Sequence, residues 1–127
     1  MNISLLSNAT PRISECYFHR RTRSIADLVL LNNYDMLITR INVPIQYRMA
    51  GLGSKILREI CKDADRQRVN LVVEPVASGG LTQKSLTDWY ERHGFVWVEN
   101  GVMYRRFRAP LVEWEVDKDI ERTRNDV

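Results

Sequence analysis

The chain has 127 residues, 44% of them apolar and 28% charged, enough for one domain that buries its own core without disulfide or metal staples. It holds no apolar run near the roughly 18 residues of a membrane span and no basic-then-apolar leader. Its two cysteines, Cys16 and Cys61, make no disulfide framework, so a cytoplasmic protein with no membrane attachment is expected. The net charge of +3 is uneven: residues 111–127 hold six acids against three bases, a net of −3 that leaves +6 on residues 1–110, a modest surplus suited to an anionic ligand.

Residues 1–11 read as a weak opening strand or a loose arm. Residues 13–20 alternate around Cys16 and Phe18 and predict a strand. A polar turn (Arg20-Arg21-Thr22-Arg23) leads to an apolar strand over 25–31, and a second turn (Asn32-Asn33-Tyr34-Asp35) to a strand over 36–43. Three strands on short turns predict an antiparallel meander. A helix is predicted from about residue 51 to 67, with Ile56, Leu57, Ile60, Cys61 and Ala64 on one face of a 3.6-residue period. Cys61 is expected as a small core residue. Leu71-Val72-Val73 predicts a short buried strand, joined by a right-handed crossover to the strand before the helix. A second helix is expected to run to about His93 and close on Gly94. Asn100-Gly101 predicts a type I′ hairpin between residues 95–98 and 102–107. The charged residues 111–127 read as a tail beyond the 1–110 domain, with residues 115–125 a surface helix or disordered chain.

Between the third strand and the first helix the chain reads I-N-V-P-I-Q-Y-R-M-A-G-L-G-S, residues 41–54. Strand, glycine loop and helix head together form an anion site. The first amides of a helix have no intrahelical partner, and the dipole adds roughly half a positive charge there. Gly51 and Gly53 let a phosphate approach without a Cβ in the way. A P-loop would need Gly-x4-Gly-Lys-Ser/Thr, but Gly53 is followed by Ser54-Lys55. A Rossmann loop would need a third glycine and an early strand.

Arg48-x-x-Gly51-x-Gly53, placed between strand and amphipathic helix, resembles the R/Q-x-x-G-x-G/A motif of the GCN5-related N-acetyltransferase (GNAT) family. Trp89-Tyr90-Glu91-Arg92-His93-Gly94-Phe95 resembles that family's second signature, at the right distance with one strand between. The resemblance spans roughly residues 13–107. It implies a mixed α/β fold of the acyl-CoA N-acyltransferase type, a central mixed sheet with two splayed strands, and acetyl-CoA as co-substrate. It implies that main-chain groups of Ile41 to Val43 meet the pantetheine arm. The loop Arg48, Met49, Ala50, Gly51, Leu52, Gly53 and Ser54 would then meet the pyrophosphate. Gln83 stands where many relatives place an asparagine near that arm. Met49 departs from the frequent glycine at its position, a change that backbone donors survive. A larger departure is that no long amphipathic helix precedes residue 36, whereas the family carries two that wall the acceptor site. The N-terminal helical part is reduced, and either the acceptor cleft is open or a partner supplies a wall.

Acetyl transfer from a thioester to an amine needs a neutral amine, a polarised carbonyl and a proton for the departing thiolate. A tyrosine, with an ordinary pKa of about 10, can donate that proton, and the resemblance gives Tyr90 this role. Otherwise Tyr90 is an aromatic core residue, a reading that suits Trp89 better. Glu74, at the end of the strand bordering the splay, is the candidate base, or else a solvated strand end. His93 is expected near the helix dipole and His19 at the surface among arginines. No Cys/His spacing suggests a metal.

The expected function is an acetyl-CoA-dependent N-acetyltransferase acting on a primary amine, small or macromolecular. The alternative is a non-catalytic protein of the same fold that binds CoA or a partner. Arg20-Arg21-Thr22-Arg23 and Arg105-Arg106 hint weakly at nucleic acid, and the final hairpin with the acidic tail offers a possible homodimer edge.

Overall fold

The computed structural model describes residues 13–77, 80–108 and 119–126. The expected opening segment and residues 111–118 of the tail lie outside them. Strands β1 (Ile13–His19), β2 (Ser24–Leu30) and β3 (Asp35–Asn42) form the predicted antiparallel meander. The second turn is built by Asn32, whose Oδ1 accepts from the N–H groups of Tyr34 (2.7 Å) and Asp35 (2.9 Å).

A 3-10 turn (Ile45–Ala50) leads into α1 (Leu52–Gln67). β4 (Asn70–Val73), α2 (Gln83–Arg92), β5 (Val96–Trp97), β6 (Met103–Arg105) and β7 (Ile120–Asp126) follow. The strands make one sheet in the order β5-β6-β4-β3-β2-β1-β7. β3 and β4 run parallel, and the other neighbours are antiparallel.

The predicted face of α1 is the buried one. Ile56, Leu57, Ile60, Cys61 and Ala64 pack with Tyr17, Leu28, Leu71 and Met103; each large apolar side chain buried this way contributes roughly 2 kcal/mol. α1 also buries three carboxylates, each with a partner. The Tyr17 hydroxyl donates to Asp63 Oδ2 (2.8 Å), and Lys62 pairs with Glu59 (3.3 Å). Arg105 reaches both oxygens of Asp65 (2.9 and 3.1 Å), and the Arg108 N–H adds a third bond there (2.8 Å).

Gly94 closes α2 at φ 92°, where a Cβ is disfavoured, and the Phe95 N–H returns to Tyr90 O at 3.2 Å. Asn100 and Gly101 both take positive φ, 60° and 72°, the type I′ turn the dipeptide predicts. Thr82 caps α2, its Oγ1 accepting from the Ser85 N–H at 3.0 Å.

Three sequence expectations are corrected. From residue 120 the tail is neither helix nor disordered chain but β7, paired along the whole of β1. Ile120 is buried there, yet residues 121–126 are all polar, so no alternation marks the strand. Backbone pairing and charge hold it: Arg122 bonds the buried Glu15 (2.6 Å) and Glu121 pairs with Arg20. β1 also has the opposite phase to that expected, burying Glu15, Tyr17 and His19 and leaving Cys16 and Phe18 half-buried. His19 is therefore not at the surface; it is 5% exposed, its Nδ1 3.0 Å from Thr22 Oγ1.

Candidate functional site

The parallel pairing of β3 with β4 begins at Asp35 opposite Asn70 and ends at Ile38 opposite Val73. β3 runs on to Asn42, still paired with β2 as Arg40↔Asp27, Ile41↔Ala26 and Asn42↔Ile25. Its β4-facing edge is thus open from Thr39 onward among the described residues. A β-bulge falls at this point: Ile38 faces Leu28 and Arg40 faces Asp27, leaving Thr39 as the extra residue. The Thr39 hydroxyl donates to Asp27 O at 2.9 Å. A bulge bends its strand and sharpens the local twist, and here it sits where β3 and β4 part.

The open edge leads directly to the head of α1. The Tyr47 N–H bonds Pro44 O (2.9 Å) and Arg48 Nε bonds Val43 O (3.0 Å), so Arg48 straps the 3-10 turn to the end of β3. Gly51 takes the left-handed conformation (φ 75°, ψ 14°), which favours glycine, and a Cβ there would meet nothing within 4 Å. No side chain caps α1 and no acid stands in its first turn. The first intrahelical bond is from the Lys55 N–H to Gly51 O (3.1 Å). The amides of Leu52, Gly53 and Ser54 are left as donors beside the positive end of the helix dipole.

Gly53 differs from Gly51. A Cβ there would lie 3.5 Å from the Trp89 ring and 3.7 Å from the Val43 side chain, ordinary contact distances. Neither backbone nor packing demands glycine at this position. Leu52 is buried, and Ile41, Val43 and Ser54 are half-buried. Met49 and Ala50 belong to the 3-10 turn.

α2 is fastened to this head by Trp89. Its indole Nε1 donates to Ser54 Oγ at 2.8 Å, and its ring lies 4.9 Å from that of Tyr90. The sequence suggests only a core role for Trp89; the one signal for this bond is the indole N–H itself, a donor that seeks a partner when packed. The Tyr90 ring is 5% exposed and packs edge-on to Phe95 at 5.2 Å. Among the described residues its hydroxyl has no hydrogen-bond partner, yet none of their buried polar side-chain atoms is left unpaired. The hydroxyl therefore opens to solvent. Burial pushes its pKa up to about 12, which keeps the phenol a neutral donor.

Glu74 follows β4 at once, half-buried and without a partner among the described residues. Gln83 is committed to the adjoining loop. Its Nε2 donates to Pro75 O (2.9 Å) and its Oε1 accepts from the Ala77 N–H (3.1 Å), tying the start of α2 to the chain leaving β4. His93 caps the C-terminal end of α2. Burial, with Arg58, Arg92 and Arg105 nearby, lowers its pKa and so overrides the favourable helix dipole.

No protein-family model matches the sequence, and no curated protein is significantly similar to it. Solved structures are. The chain is similar to a GNAT family acetyltransferase from Elizabethkingia anophelis with acetyl-CoA bound (TM-score 0.57, 16% identity, 83% of this chain and 80% of that one). It is similar too to the ribosomal-protein-S18-alanine N-acetyltransferase of Escherichia coli (TM-score 0.57, 18% identity, 89% and 81%). The chain has the GNAT fold. The anti-CRISPR protein AcrVA5 is a further structural neighbour (TM-score 0.58, 13% identity, 71% of this chain and 96% of that one). The GNAT fold accounts for the mixed sheet, the parted strands and the helix head beside them. Before β3, turns alone join the strands of this chain among the described residues.

Proposed function

We propose that this chain is an N-acetyltransferase that binds acetyl-CoA along the open edge of β3 and at the head of α1, and acetylates a primary amine. The observation that carries the reading is the continuity of two unsatisfied sets of main-chain groups. β3 leaves an open edge from Thr39, and the uncapped amides of Leu52, Gly53 and Ser54 follow within the same connection. An extended amide-bearing arm ending in a pyrophosphate fits both sets.

When bound, acetyl-CoA would supply an acyl thioester. The residues of the chain do the rest. The α1 head holds the pyrophosphate, with Arg48 strapping the turn and Gly51 leaving the approach clear. Main-chain groups of residues 39–43, Ile41 and Val43 among them, align the arm. Gln83 acts as a positioning residue that sets the loop beside the parted strands. Tyr90 keeps its proton at neutral pH and gives it to the departing thiolate. Glu74 is the group that takes a proton from the incoming amine. Among the described residues turns alone join the strands before β3, and an acceptor side without helical walls suits an amine on a macromolecule better than a small enclosed one.

Calorimetric titration of acetyl-CoA into wild type and Gly51→Asp tests the reading. Aspartate tolerates the left-handed conformation and puts a negative charge where the pyrophosphate would sit. Wild-type binding that the variant loses supports the site; equal binding by both, or by neither, overturns it. The same fold without helical walls also suits a non-catalytic CoA-binding protein. Acetyl-CoA binding with no thiol release on any amine-bearing protein substrate favours that second reading.

A further inference from the structure

A cleft of about 440 Å³ opens between the middle of α1, the end of α2 and the chain leaving β6. Five cations line it: Arg58, Lys62, Arg92, Arg105 and Arg108, against the carboxylates of Asp65 and Glu91. Two of the five are committed, Arg105 to Asp65 and Lys62 to Glu59. Arg58, Arg92 and Arg108 are exposed and form no ion pair among the described residues. Like charges repel, and three guanidinium groups on three separate segments facing one concavity are only partly offset by the Glu91 carboxylate. The half-buried His93 ring lines the same cleft and is held neutral, first by burial and then by Arg58, Arg92 and Arg105.

The cleft is separate from the head of α1. The Trp89 ring stands between them, against Gly53 on one side and 5.6 Å from the His93 ring on the other. Its volume falls in the range of small-ligand sites, roughly 300–1,000 Å³. Guanidinium forks match the paired oxygens of a phosphate.

We infer that this cleft is a second anion site that takes a phosphate-bearing ligand, held by Arg58, Arg92 and Arg108. A free pyrophosphate group and a nucleic-acid backbone offer the same chemistry, and the test separates them. Inorganic pyrophosphate is titrated by calorimetry into Gly51→Asp, whose α1 head is closed, and into the same protein carrying Arg58→Gln and Arg92→Gln. Both arginines are exposed and unpaired, so their replacement leaves the fold intact by circular dichroism. The expected result is pyrophosphate binding by Gly51→Asp, weakened about tenfold or more by the added pair and weakened by salt. No binding by Gly51→Asp, or binding unchanged by the pair, overturns the site. If Gly51→Asp does not fold, arginine Nε resonances in wild type decide instead. Shifts at Arg58, Arg92 and Arg108 on adding pyrophosphate support the site, and their absence overturns it. A short single-stranded RNA that displaces pyrophosphate and binds more tightly identifies the phosphate source as nucleic acid. RNA that does neither leaves a free phosphate ligand. None of these readouts uses acetyl-CoA, so the result stands apart from the acetyltransferase reading.

Discussion

The indole of Trp89 and the hydroxyl of Ser54, 2.8 Å apart, join the last turns of α2 to the first turn of α1. This bond couples the helix carrying Tyr90 to the helix head proposed to hold the cofactor. Trp89→Phe keeps an aromatic ring at this position and removes the bond, together with the outer indole ring's contact at Gly53. We expect a stability loss of about 1 kcal/mol in chemical denaturation, and a larger proportional loss of acetyl-CoA affinity by calorimetry. Affinity equal to wild type would show that the bond has no part in shaping the head of α1.

Tyr90→Phe separates binding from chemistry. The ring stays in its place against Phe95 and the hydroxyl goes. Acetyl-CoA affinity should hold within about twofold while turnover falls roughly 100-fold, the scale of a lost general acid. Measuring KM and kcat separately checks this, and an unchanged kcat removes Tyr90 from the mechanism.

The same phenol has a pH signature. Burial raises its pKa from an ordinary value of about 10 to about 12. Between those values the unfolded chain has lost the proton and the native chain has kept it, so the unfolded state binds fewer protons. Stability must then fall as pH rises through that window. Tyr17, raised first by its own burial and then by Glu15, adds to the fall. Unfolding midpoints in urea across the window should decline less steeply in Tyr90→Phe than in wild type.

Gly53→Ala is expected to be stable. A Cβ meets only ordinary contacts, and alanine gains up to about 1 kcal/mol over glycine inside a helix. A raised melting temperature with weakened acetyl-CoA binding would show that the ligand, and not the fold, requires glycine here.

Asp65→Ala strands the Arg105 guanidinium, whose side chain is 7% exposed, and leaves the Arg108 N–H without its acceptor. Breaking a buried pair from one side costs about 3–5 kcal/mol. The melting temperature should drop by roughly 10 °C or more. A drop within a degree or two would mean that water replaces the carboxylate.

What the sequence made legible follows from where side chains report their surroundings. The face of α1 and the turns at Gly94 and Asn100-Gly101 were readable because apolar spacing and left-handed residues are local signals. The loop at Gly51 was readable for the same reason. β7 was not, because an edge strand of polar residues is specified by its partner. The phase of β1 was misread because its buried face carries Glu15, Tyr17 and His19, polar groups of which the first two take their partners from distant segments. The bulge at Thr39 was hidden too, since it exists only in the register of two strands.

Viewed across its width, the sheet is two antiparallel ribbons, β7-β1-β2-β3 and β4-β6-β5, stitched along Asp35–Ile38 and Asn70–Val73. A molecule lying along β3 beyond Ile38 would extend that stitching and act as a suture between the ribbons. Slower amide exchange on both sides of the seam, reaching residues that the molecule never touches, would be the trace of such mending.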